Sequence, residues 1–167
     1  MQKHSDRGVL TPVPRTRSTE HVTPDETARR SAEAMWSGDR ASQGLGMEIV
    51  EVGPGRATIR MTVRDDMVNG HAIGHGGFTF ALADSTFAFA CNSYNRVTVA
   101  AGAEIRFRAP TRLGDVLTAT AAERHRAGRH GTYDIEVCNA DGTVVATFVG
   151  NSTEIGGTLY DEVPAHP

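Results

Sequence analysis

At 167 residues the chain suits one folded domain around a single core, with little room for a second. Charged residues make up 22% and the formal net charge is only -3, so the overall balance excludes a general attraction to nucleic acid or to an anionic membrane. Two cysteines, Cys91 and Cys138, sit in apolar stretches where a thiol acts as a small hydrophobe, which fits a reducing compartment.

Residues 1–24 are polar and broken by Pro12, Pro14 and Pro24. Such a composition buries too little apolar area to offset the entropy of ordering, and it predicts a disordered N-terminal arm. The arm has no apolar run of the secretory kind, and no later stretch is long enough to span a bilayer, so the expectation is a soluble, cytoplasmic protein. Thr23 and Asp25 around Pro24 supply capping chemistry for a short helix through Glu26–Trp36, ending near Gly38. Next, Met47–Val52 and Arg56–Val63 alternate apolar and polar residues on either side of Gly53-Pro54-Gly55, the pattern of a hairpin. A loop from Asp65 to Gly74 leads into Phe78–Cys91, which has no proline, no internal glycine and no basic residue and reads as a buried helix. Three β-rich blocks follow: Val97–Arg108, Val116–Arg126 and Tyr133–Glu154, the last split by the turn Asn139-Ala140-Asp141-Gly142. The order predicts an α+β fold in which about six antiparallel strands wrap one long helix; a doubly wound sheet would need alternating helices. The folded domain is thus read as 25–156, with a flexible tail at 157–167.

Asp84 breaks the pattern of its helix. Its neighbours three and four positions away are Phe80, Ala81, Phe87 and Ala88, so the carboxylate stands on an apolar face. Placing it there costs several kcal/mol, roughly 2 to 7 for an uncompensated polar group, unless it is bonded or used. Burial without a fixed cation also raises a carboxyl pKa, which suits a general base. The ordinary alternative is a bond to a backbone amide or serine hydroxyl across a subunit contact. Just upstream, Gly76 and Gly77 lie where the helix begins, so their amides point outward at the positive end of the macrodipole and can hold the oxyanion of an acyl-transfer intermediate. At 1.5 Å per residue, Gly76 and Asp84 stand about 12 Å apart along one helix, too far to share a reacting carbonyl. A second copy must complete the site, which predicts an obligate homodimer with paired sites.

The run Asn69-Gly70-His71, His75-Gly76-Gly77 and Leu82-Ala83-Asp84 resembles the hotdog-fold acyl-CoA thioesterase family of the phenylacetic acid degradation protein PaaI. The resemblance continues through Ala90-Cys91-Asn92-Ser93-Tyr94, Arg108-Ala109-Pro110 with Gly114-Asp115, and Gly128-Arg129 with Gly131 and Tyr133-Asp134, covering about Leu45 to Gly150. It implies a hotdog fold, a homotetramer made of two dimers, and a thioester substrate carried by coenzyme A. By residue it implies Asp84 as the catalytic carboxylate, acting as nucleophile or as base for water, and Gly76 as the oxyanion amide. Asn69 orients the water or the carbonyl, and His75 braces the loop and borders the thioester. Related members place a serine or threonine on the strand after the helix, near Ala100 or Ala101, where only alanine and glycine occur here.

His71 and His75 have a spacing that holds zinc on a helix, but the intervening glycine argues against a helix and no Cys/His cluster supplies a third ligand, so no metal is expected. Among the basic residues, Arg106 and Arg108 alternate on a strand, and Arg124, Arg126, Arg129 and His130 cluster at a strand-to-strand turn. A solvated face explains most such groups, yet coenzyme A brings phosphates that need donors, which selects Arg129 and His130 at the rim with Arg108 behind them. Phe80, Phe87 and Phe89 are candidates for an acyl pocket as well as for core. The expected reaction is hydrolysis of an aryl, arylacetyl or medium-chain acyl-CoA, with no cofactor beyond the coenzyme A of the substrate. Its rivals are a non-catalytic acyl-CoA sensor and a hotdog enoyl-CoA hydratase.

Overall fold

The computed structural model describes residues 22–161. The arm expected at 1–24 therefore lies almost wholly outside the described residues, as do 162–167 of the expected tail. Thr23 and Pro24, counted above with the arm, instead open helix α1 (Pro24–Gly38): the Thr23 side chain accepts a hydrogen bond from the Glu26 amide, and Pro24 occupies the first turn, where it forfeits no bond. A short helix, α2 (Arg40–Gly44), follows at once and was not expected; its cap is the Asp39 side chain, which accepts from the Ser42 amide.

The strands are β1 (Glu48–Gly53), β2 (Arg56–Thr62), β3 (Thr98–Phe107), β4 (Val116–Ala127), β5 (His130–Cys138) and β6 (Val144–Glu154), with α3 (Gly76–Cys91) between β2 and β3. They form one antiparallel sheet in the order β1-β2-β4-β5-β6-β3. Alternation in the sequence becomes alternation in burial. Ile59 and Met61 of β2, Leu117, Ala119 and Ala121 of β4, Tyr133, Ile135 and Val137 of β5 and Phe148 of β6 are all buried against α3 and its surroundings. Trp36 of α1 covers α3 from another side, its ring 6.1 Å from that of Phe89.

Helix and sheet approach closely where β6 carries Gly150: a Cβ there would fall 2.8 Å from the Phe87 ring. Near the end of α3, the Tyr94 and Tyr133 hydroxyls both donate to one oxygen of Glu123, at 3.0 and 2.9 Å, while the Arg126 guanidinium stacks 3.9 Å over the Tyr94 ring. Burial, then the Glu123 bond, holds the Tyr133 phenol proton well above its usual range. Asn95, at φ 55°, accepts the Leu159 and Tyr160 amides through its side-chain oxygen, so the described chain is tied down beyond residue 156, where the domain was expected to end.

Candidate active site

The loop before α3 is built by its own hydrogen bonds. The Asn69 amide donates to the Ile73 carbonyl at 2.8 Å, Ala72 donates back to the Asn69 carbonyl at 3.0 Å, and the Asn69 side-chain oxygen accepts the His71 amide at 2.9 Å. The tight return forces Ala72 to φ 57°, a left-handed conformation that costs a residue with a Cβ about 1–2 kcal/mol. Outside anchors come from Gly74, which donates to the Thr111 carbonyl at 2.7 Å, and from His75, which donates to the Met67 carbonyl at 2.8 Å. Together these bonds fix where α3 starts. His75 is its N-cap: Nδ1 accepts the Gly77 amide at 2.9 Å, so the ring does brace the loop.

These bonds divide the two glycine amides. That of Gly77 is taken by His75, while that of Gly76, in the first turn, has no partner among the described residues. Gly76 opens onto a cavity of about 440 Å³ also lined by Asn69, Ile73, Thr79, Phe107, Arg108 and Thr111. Phe107, the last residue of β3, lies so near that a Cβ on Gly76 would meet its ring at 2.8 Å. Asn69 has given its oxygen to the loop, which leaves the side-chain NH2 as the group it has for the cavity.

Asp84 stands two turns further along α3 and does not line this cavity. Its carboxylate is half-buried, makes no hydrogen bond or ion pair among the described residues, and is pushed above its ordinary pKa by burial. One chain thus gathers Asn69, Gly76 and Arg108 but holds Asp84 apart. Arg129 and His130 lie elsewhere, at the β4–β5 turn, and both are engaged there. The Arg129 guanidinium donates to the Glu154 carbonyl at 2.9 and 2.5 Å, and His130 Nδ1 is 3.0 Å from the Thr153 hydroxyl. Arg108 is exposed and has no side-chain partner among the described residues.

Of the three phenylalanines weighed for an acyl pocket, Phe87 and Phe89 are core, and Phe80 remains 36% exposed, edge-on to Phe148. The aromatic wall of the cavity is instead Phe107. Its alternation with Ile105 signals the inner face of a strand, but only the β3–β6 pairing brings that strand end over Gly76. Thr79 and Thr111 were missed, because isolated threonines carry no pattern.

A six-stranded antiparallel sheet curled over one central helix, with the amide-bearing start of that helix facing a cavity, is the hotdog architecture. Comparison with known proteins narrows this: a family model described as the thioesterase superfamily matches residues 71–146. The chain is 44% identical over 135 residues to the acyl-coenzyme A thioesterase PaaI of Escherichia coli K12, covering 81% of this chain and 96% of that protein. It belongs to the thioesterase superfamily. The solved E. coli PaaI protein, from the phenylacetic acid degradation operon, superposes with a TM-score of 0.80 at 43% identity, over 81% of this chain and 99% of that one. A mutant form of the phenylacetic acid degradation protein PaaI from Thermus thermophilus superposes with a TM-score of 0.68 at 34% identity, over 70% and 100% of the two chains.

Proposed function

We propose that the protein hydrolyses an acyl-CoA thioester to the free acid and coenzyme A, with an aryl, arylacetyl or medium-chain acyl group. The observation that carries this is the division of labour along α3: an amide without a partner among the described residues opens onto a cavity at its start, and a carboxylate of raised pKa, likewise without one among them, follows two turns later. The Gly76 amide and the Asn69 side-chain NH2 polarise the carbonyl oxygen, a pair of donors aimed where negative charge develops. As a base, Asp84 takes a proton from water as the water oxygen adds to the carbonyl carbon, and returns it to the sulfur as the carbon–sulfur bond breaks. As a nucleophile, it adds to that carbon and expels the thiolate to leave an anhydride, which water then cleaves to the free acid and the regenerated carboxylate, its spare proton going to the thiolate. Coenzyme A is part of the substrate, and hydrolysis uses only the chain's own groups.

About 12 Å along one helix separates Gly76 from Asp84, so each site takes Asp84 from a second copy. The free edge of the sheet supports this pairing. β3 is ten residues long, exposed along most of its length, and carries Val99 and Phe107 at 43% and 56% exposure. So long an edge invites a strand from another copy. The assembly proposed is a homodimer with shared sites, doubled to a tetramer. Two free cysteines support a cytoplasmic location, and no described helix is long and apolar enough to cross a membrane.

Thiol release from acetyl-, hexanoyl-, phenylacetyl- and hydroxybenzoyl-CoA, measured for wild type and Asp84→Asn, tests the reading. The expected result is release that prefers the aryl thioesters and falls by about 10²–10⁴-fold in the variant. Full turnover by a folded Asp84→Asn protein would sink the proposal, and tight binding without thiol release would make the protein a sensor.

A further inference from the structure

Asn69 is followed by Gly70, and none of the other asparagines, Asn92, Asn95, Asn139 and Asn151, precedes a glycine. The pairing matters chemically. The backbone nitrogen that follows an asparagine can attack its side-chain carbonyl carbon, and a glycine leaves that approach clear of any Cβ.

Local structure leaves this attack open. Gly70 is exposed, its amide has no partner among the described residues, and a Cβ built on it would meet nothing within 4 Å, so the ring that the reaction closes has space around it. The Asn69 side-chain oxygen accepts the His71 amide at 2.9 Å, which curls the carboxamide back over the intervening Gly70 peptide unit and polarises the carbon under attack. The other asparagines are held differently. Asn92 is buried, with its NH2 donated to the Ala88 and Thr98 carbonyls, and Asn95 is buried, with its NH2 donated to the Tyr160 carbonyl. Asn151 is fixed within β6, its oxygen accepting the Thr132 hydroxyl. Asn139 accepts the Thr143 amide and is followed by Ala140, whose methyl crowds the approach.

We propose that Asn69 is a site of spontaneous deamidation, and that its conversion switches the enzyme off. The Gly70 nitrogen gives up its proton and bonds to the Asn69 side-chain carbon. The bond from that carbon to the NH2 breaks, and ammonia leaves carrying the proton, which closes a cyclic imide. Water then opens the imide at either carbonyl and leaves an aspartyl or isoaspartyl residue at position 69. For its consequence the inference rests on the hydrolase reading above: the NH2 that polarises the substrate carbonyl gives way to a carboxylate, which repels the charge developing there.

The test holds wild type and Gly70→Ala at mildly alkaline pH without substrate, and follows peptide mass and thiol release together. Wild type is expected to gain about 1 Da on the peptide carrying Asn69 before any other asparagine is modified, and modified sites should lose about 10²–10³-fold in kcat. Gly70 lies outside the left-handed region, so alanine fits its backbone. Gly70→Ala should therefore start within about twofold of wild-type activity, melt no lower, and keep its mass and activity about tenfold longer. Asn69→Asp, made directly, should reproduce the inactive end point in a folded protein. A gain at another asparagine first, or none at Asn69 after a free peptide of residues 67–72 has converted, overturns the proposal. So does full activity in a protein wholly modified at Asn69. A wild type that gains the mass but releases no thiol even when fresh defeats the hydrolase reading and leaves the modification site standing.

Discussion

Asp84 has no cation to neutralise it among the described residues, and burial raises its pKa. As base or nucleophile it must be ionised, so kcat/KM is expected to fall as pH drops through a value above the ordinary carboxylate range; a profile flat down to about pH 4 would contradict this. The same shift acts on stability with the opposite benefit. The folded carboxyl keeps its proton to higher pH than the unfolded one, so stability falls as pH rises from the ordinary to the raised value, and that loss is complete above it. Thermal melts of Asp84→Asn should lack this component, and the variant should gain on wild type above that window. A lone charge among alanines and phenylalanines is legible from sequence because burial makes it costly. The role of Asn69 is less so: its spacing gave the resemblance, but only the bond from the His71 amide shows that its oxygen is committed to the loop and its NH2 is not. Thr79 was illegible as a wall of the cavity, since sequence does not distinguish it from Thr86, which bonds within the helix.

Among the elements, the hairpin, the long helix and the later strands were legible because period-two alternation and a long apolar run are direct imprints of burial on the chain. Their neighbours in the sheet were not. β3 follows α3 in sequence but pairs with β6, a contact set by how the whole sheet closes over the helix. Local irregularities escaped as well: β1, β3 and β4 shift register at Ile49/Glu51, Ala100/Gly102 and Glu123/His125, where one extra residue leaves the hydrophobic pattern nearly intact. Five-residue α2 is too short to show a period. One close approach of α3 to the sheet is Phe87 over Gly150, and it leaves no room for a methyl group. Gly150→Ala is expected to destabilise the fold by about 1–3 kcal/mol in urea or thermal denaturation, and an unchanged midpoint would mean that helix and sheet are looser than this packing.

At the scale of the molecule, a site shared between copies makes a distinctive prediction. Asp84→Asn and Asn69→Ala should each be inactive alone, because every site in either homodimer has one defect. In a co-refolded equal mixture about half of the dimers are mixed, and each of these has one site with both defects and one with neither. The mixture should recover about a quarter of wild-type thiol release; no recovery would mean that each chain holds a whole site. The expectation of a dimer came from one distance along a helix, whereas the exposed edge now offered in its support was not legible, since exposure of β3 depends on the strand order. The ring of Phe107 fills the space that any side chain at position 76 would need. Those two positions, distant in sequence, are therefore coupled in inheritance: a lineage that enlarges residue 76 must also move or shrink the ring at 107, and while that ring keeps its place, the amide beneath it stays bare.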